Sequence, residues 1–234
     1  MKKKIIIILI IISLLATNAL AFTDVKDNWA KPYIEWASDQ GFFEGYKDGT
    51  FRPKSFITKA EFVTVISRLV VDQAGVKLKL TDVKEGAWYY DALAKIVGLG
   101  LIENAGEFKG REKIIRAEAF RLIAGIYKLS SDEKLEYHFN DAVIVNNHAG
   151  LGRLIADGII VGDGENNLLP LKPIRRQEMC KILKEAYDKY DKNEKHEGPA
   201  EKADEKLVDK IEDKIEEKIE EKEKNKDENK DVNK

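Results

Sequence analysis

Three cations recur at one place in this chain. Lys59, Arg116 and Arg176 each stand two residues before a Glu, in Ile57-Thr58-Lys59-Ala60-Glu61, Ile114-Ile115-Arg116-Ala117-Glu118 and Ile174-Arg175-Arg176-Gln177-Glu178. In the first copy Thr58 and Glu61 read as a capping box, which predicts a helix start at Lys59. A helix N-terminus presents backbone N–H groups that attract anions. A Lys or Arg in its first turn adds charge and charge-assisted donors. Single solvated charges of this kind would contribute little. Equivalent placement in three diverged copies points instead to a device for meeting an anionic ligand, used more than once.

The elements that must position these cations repeat with them. The copies open at Phe22-Thr23-Asp24-Val25, Leu80-Thr81-Asp82-Val83 and Phe139-Asn140-Asp141-Ala142, about 58 residues apart. A fixed period of this size means one structural unit used three times, each copy burying its apolar face on its neighbours. Within copy one, Trp29 to Gln40 predicts a short amphipathic helix, with Gly41 as its C-terminal stop. Gly100 and Gly158 match that glycine. The run Gly45 to Pro53 is a turn-rich loop. A second helix follows, with Phe62, Ile66 and Leu69 as its buried stripe. Copies two and three lose the Thr58 acceptor, to Ile115 and Arg175, at about 1 kcal/mol each unless it is replaced. Cys180 falls on the core stripe and reads as a small buried hydrophobe. Trp36 and Phe51 also read as core. Glu61, Glu118 and Glu178 read as structural.

The two ends differ from the repeats. Lys2 to Lys4, the apolar run Ile5 to Leu15, and Ala19-Leu20-Ala21 predict a secretion signal over residues 1–21. Without Lys2, Lys3 and Lys4, 37 basic residues face 42 acidic ones, a formal charge of −5. That excludes a polybasic nucleic-acid binder. One cysteine excludes an internal disulfide framework. The tail, residues 192–234, has Lys at every fourth position from Lys202 to Lys234. Leu207, Ile211, Ile215 and Ile219 share that period and drift about 40° per step around a helix, so no coiled-coil seam lasts. The tail reads as a charged, partly helical spacer.

Taken together, the F-x-D-V start, the Trp, the G-Y-x-D-G-T-F-x-P loop and the I-T-K-A-E helix start resemble the S-layer homology (SLH) family, whose usual Arg is Lys59 here. The resemblance runs from Phe22 to about Lys189. It implies a mostly α fold of three tandem helix-loop-helix repeats, forming a pseudo-threefold, three-pronged unit around a central helical bundle. The repeats would occupy residues 22–79, 80–137 and 138–191, followed by the tail. It also implies a secreted bacterial envelope protein that binds secondary cell-wall polysaccharide, anionic or pyruvylated, in grooves between prongs. On that reading Trp29 and Trp88 offer faces for sugar rings, and Lys59, Arg116 and Arg176 meet carboxylates. Asp24 and Asp82 accept from hydroxyls, with a turn role for these aspartates as an equal alternative. Gly45 and Tyr46 complete the groove expected in repeat one. Repeat two lacks the full loop and repeat three lacks the Trp, so one or two grooves are expected to be competent.

Other classes have less behind them. His138, His148 and His196 show no metal-ligand spacing, and no nucleophile elbow or phosphate loop appears. Neither an enzyme nor a bound metal or cofactor is expected. A complete calcium loop is absent. Two alternatives stay open. The tail could recruit a protein partner to a wall-bound module, or the ligand could be peptidoglycan itself.

Overall fold

The computed structural model describes residues 22–70, 73–130, 139–141 and 150–191. The expected secretion signal and the charged tail lie outside the described residues. So does 142–149, the stretch of repeat three that corresponds to the Trp segments. Among the described residues the regular elements are all helical. They are α1 (Lys31–Asp39), α2 (Lys59–Ser67), α3 (Tyr90–Gly98), α4 (Arg116–Ile126), α5 (Leu151–Ala156) and α6 (Arg176–Ala186). A π-helical turn, Tyr187–Asp191, continues α6. Each repeat thus supplies one peripheral helix (α1, α3, α5) and one central helix (α2, α4, α6).

Local chemistry sets the helix ends. Thr58 Oγ1 accepts from the Glu61 N–H at 3.2 Å, and Glu61 Oε2 accepts from the Thr58 N–H at 2.8 Å, closing the capping box. At the other end of the peripheral helices Gly41, Gly100 and Gly158 take φ of 70°, 73° and 73°. This is the left-handed stop that glycine adopts without a Cβ penalty.

The repeats pack by exchange. Each central helix carries the peripheral helix of the next repeat: α2 packs with α3, α4 with α5, and α6 returns to α1. The segments ahead of the central helices meet in a closed ring of backbone hydrogen bonds. The Ile57 N–H donates to Ile174 O, Ile174 to Ile114 O, and Ile114 to Ile57 O, each at 3.1 Å. The three isoleucines are buried. Three short antiparallel bridges, Phe56 with Arg175, Thr58 with Lys113 and Ile115 with Pro173, surround that ring. A single core joins all three repeats. It includes Phe51 and Cys180, and Trp36 packs at its edge beside Phe42 and Tyr187. Burial pushes the Cys180 thiol pKa well up, so it stays protonated.

Candidate functional site

The same exchange uses up the helix starts. The Lys59 N–H donates to Glu112 O at 2.8 Å and the Ala60 N–H to Gly110 O at 3.0 Å. In α4, Arg116 and Ala117 donate to Lys172 O and Pro170 O, both at 2.9 Å. In α6, Arg176 and Gln177 donate to Ser55 O at 2.9 Å and Pro53 O at 3.0 Å. The expectation that these first-turn N–H groups wait for an anion is therefore corrected. A carbonyl from the next repeat's loop already holds them. This also limits what α4 and α6 lose with the missing Thr, because two of their four orphan donors are satisfied from outside.

The motif cations follow the same path. Arg176 is 5 % exposed. Its Nε donates to Phe51 O at 2.9 Å and its Nη2 to Glu44 O at 3.0 Å, both in repeat one. Its guanidinium carbon lies 4.5 Å from the Phe51 ring centre, 5.0 Å from Tyr46 and 5.1 Å from Phe43, all within cation–π range. Arg116 donates from Nε to Leu168 O at 2.8 Å, in repeat three, and burial lowers its pKa. Lys59 reaches Glu118 at 3.4 Å and Glu112 at 3.8 Å, both in repeat two. All three cations join one repeat to the next.

The aspartates serve the loops. Asp24 accepts from the Phe51 and Arg52 N–H groups, both at 2.8 Å. Asp82 accepts from Phe108 and Lys109, both at 2.7 Å. Asp141 does the same for Leu168 and Leu169. The second residue of each pair is left-handed, with φ of 56° at Arg52, 59° at Lys109 and 56° at Leu169. A non-glycine residue there costs about 1–2 kcal/mol, and the two charge-assisted bonds offset it. Burial pushes the Asp82 carboxyl up, but the N–H bonds from Phe108 and Lys109 outweigh it and hold its pKa below the ordinary value. Of the two roles left open for Asp24 and Asp82, the turn role is present.

Gly45 and Tyr46 belong to the same framework. A Cβ on Gly45 would fall 2.3 Å from Phe22 Cε1 and 3.1 Å from Thr50 O, so any larger residue would have to displace that ring. Gly162 does the same beneath Phe139 in repeat three. Tyr46 lies between two guanidinium groups, Arg52 at 4.0 Å and Arg176 at 5.0 Å.

Among the described residues two open grooves lie between repeats. The larger, about 880 Å³, is bordered by Trp88, Lys84 and Arg111 of repeat two and by Thr58 and Ala60 of repeat one. The smaller, about 440 Å³, is bordered by Trp29, Lys26 and Lys54 of repeat one and by Gln177 of repeat three. Trp88 is 66 % exposed and Trp29 is 55 % exposed. Asn28 Nδ2 donates to Gln177 Oε1 at 2.9 Å and ties repeat one to repeat three in the lining of the smaller groove. The expected groupings are corrected accordingly. Neither of these grooves pairs Trp29 with Lys59 or Trp88 with Arg116. Trp88 faces the start of Lys59's helix, and Trp29 faces the start of Arg176's helix. Asp24 and Asp82 border the grooves, whereas Gly45 and Tyr46 border neither. Sequence reasoning missed Lys26, Lys54, Lys84 and Arg111. They have no ion-pair partner among the described residues, and their only sequence signal was position beside a Trp segment or loop.

This architecture defines a class: a module of three cyclically interlocked helical repeats with ligand-sized grooves at their junctions. The S-layer homology domain profile matches residues 21–63, 79–120 and 139–180. The chain belongs to the S-layer homology domain family. It is 31 % identical over 170 residues to the surface-layer 125 kDa protein of Lysinibacillus sphaericus, covering 70 % of this chain and 14 % of that protein. It is 29 % identical over 176 residues to an exoglucanase of Acetivibrio thermocellus, covering 71 % of this chain and 16 % of the enzyme. It is 36 % identical over 115 residues to a cellulosome-anchoring protein of the same organism, covering 45 % and 26 %. The chain thus spans about a quarter or less of the length of these relatives. Its membership places it with cell-surface attachment modules of the bacterial envelope. Among the described residues no helix is long and apolar enough to cross a membrane.

Proposed function

We propose that this chain attaches non-covalently to the cell wall by holding an anionic secondary wall polysaccharide in the two grooves between its repeats. The observation that carries this reading is the pairing, in each groove, of an exposed Trp with cations that have no ion-pair partner among the described residues: Trp88 with Lys84 and Arg111, Trp29 with Lys26 and Lys54. A sugar ring presents an apolar face to the indole. A carboxylate on that sugar meets Lys or Arg. Asp82, held ionised by the loop, and Glu85 add acceptors for hydroxyl groups in the larger groove.

Attachment rather than catalysis is supported by the relatives. One segment recurs in a surface-layer protein, an exoglucanase and an anchoring protein, and spans a small part of each. A part common to chains as different as these supports a shared service such as attachment, which the names of the surface-layer and anchoring proteins carry, rather than one chain's chemistry.

The test is sedimentation of the full chain with purified walls, native or stripped of secondary polymer by acid. Binding to native walls alone is expected. Trp88→Ala and Trp29→Ala should each weaken it, with Trp88 dominant because its groove is larger and its ring more exposed. Equal binding to stripped walls would assign peptidoglycan as the ligand instead.

A further inference from the structure

The two grooves are joined by one short strip of chain. Lys54 borders the smaller groove and Thr58 borders the larger one. Four residues of chain span at most about 14 Å, so the grooves are near neighbours. At the middle of the strip stands Phe56, 38 % exposed although it belongs to the bridge around the isoleucine ring. Two cations flank its ring. Lys113 Nζ, from repeat two, lies 4.9 Å from the ring centre, and the Arg175 guanidinium, from repeat three, lies 5.7 Å away. Both side chains are exposed, and neither has an ion-pair partner among the described residues. Lys54 and Arg111 stand exposed at the two ends of the strip. Glu112 and Glu118 are paired with Lys59, and Glu61 and Glu178 accept the Thr58 and Arg175 N–H groups. A chain of net negative charge therefore presents two exposed cations, without ion-pair partners among the described residues, over a partly exposed aromatic ring where its three repeats meet.

We infer that Phe56, Lys113 and Arg175 form a further subsite, over which one strand of an anionic polysaccharide passes from the Trp29 groove to the Trp88 groove. This rests on the groove reading above. The ring of Phe56 would underlie a sugar as the tryptophans do, and Lys113 and Arg175 would meet its acidic groups from either side. Each cation is given by a different repeat, so the subsite exists only in the closed ring. Its advantage is effective concentration. Once one groove is filled, the strip guides the same strand to the second groove, and linked contacts of this kind raise avidity without strengthening either groove.

The subsite predicts a dependence on ligand length. The probe is polymer released from native walls by acid and fractionated into fragments too short to join the two grooves and chains long enough to do so. Calorimetry on the full chain would compare wild type, the double variant Lys113→Gln with Arg175→Gln, and Phe56→Leu as a second variant that keeps both charges. The substitutions leave the backbone ring intact, and thermal unfolding checks the fold. The double variant should lose about tenfold or more in affinity for long chains and less than about twofold for short fragments. The long-chain loss should shrink in high salt. Phe56→Leu should show the same preference for long chains with a smaller loss. Equal losses on both fractions, or no loss on long chains, would overturn the strand path. If Trp29→Ala and Trp88→Ala leave both fractions unchanged, the groove reading itself fails, and the strand path with it.

Discussion

Replacing Arg176 by Ala should unfold this protein more readily than any other change at the three motif cations. The side chain is 5 % exposed and gives two hydrogen bonds to carbonyls of repeat one. Hydrogen bonds to charged groups contribute about 1.5–3 kcal/mol each. One guanidinium makes both, so they do not add in full, and contact with three rings contributes further. A total loss of about 3–5 kcal/mol follows. For a domain of this size each kcal/mol shifts the melting temperature by about 2–4 °C, so the midpoint should fall by roughly 6–20 °C. Lys59→Ala should cost only about 0–1 kcal/mol, because its ion pairs are long and Glu112 is largely exposed. Arg116→Ala should fall between them, with one carbonyl bond and one ring contact. Arg176→Lys tests the mechanism, since an ammonium cannot reproduce the planar two-bond fork. It should recover less than half of the loss. Thermal unfolding of the four variants by circular dichroism measures the order. A midpoint for Arg176→Ala within 2 °C of wild type would refute the view of this residue as the clasp between the last repeat and the first.

Two further perturbations test the loops. Gly45→Ala should destabilise by about 1–3 kcal/mol, the usual cost of overpacking, because the new methyl meets the Phe22 ring; chemical denaturation measures it, and an unchanged midpoint would contradict the close approach. Asp82→Ala should cost about 1–3 kcal/mol at neutral pH by freeing two loop N–H groups. The Asp82 carboxyl titrates lower in the fold than in the unfolded chain. Its contribution is therefore complete above its unfolded pKa, near 4, and is lost as pH falls through the folded value. The gap in melting temperature between wild type and Asp82→Ala should be constant above about pH 5 and narrow below it; a gap that widens in acid would reverse the sign of the argument.

The three tandem repeats, the Thr58–Glu61 cap, the glycine stops and the core positions of Phe51, Trp36 and Cys180 were all legible in the sequence. Each depends on local chemistry or periodicity within one copy. What was not legible is the exchange between copies. Nothing in the run around Lys59 says that its N–H will find Glu112 O, or that the α2 start will face Trp88 rather than Trp29. Grouping Trp29 with Lys59 followed chain proximity, whereas the fold advances each central helix by one repeat. The role of Asp24 could not be separated from ligand binding by sequence either. Its partners, Phe51 and Arg52, lie on the far side of a loop whose left-handed turn falls on an Arg rather than a glycine.

That exchange also changes what the repeated motif reports. A closed ring needs all three helix starts to fit the loops of their neighbours, whether or not each junction binds anything. Repetition of Lys59, Arg116 and Arg176 is thus explained by closure, and it does not count binding sites. Groove quality follows other residues. Repeat two lacks the Gly45-Tyr46-Lys47-Asp48-Gly49 pattern, yet it borders the larger groove and carries the more exposed Trp. In repeat one that pattern works within its own loop. Asp48 accepts from Thr50 and then from Arg52, which hold its pKa down to about 2. Tyr46 stacks between two arginines. A complete loop motif therefore marks a well-built loop, while an exposed Trp beside unpaired cations marks a groove able to hold an acidic sugar.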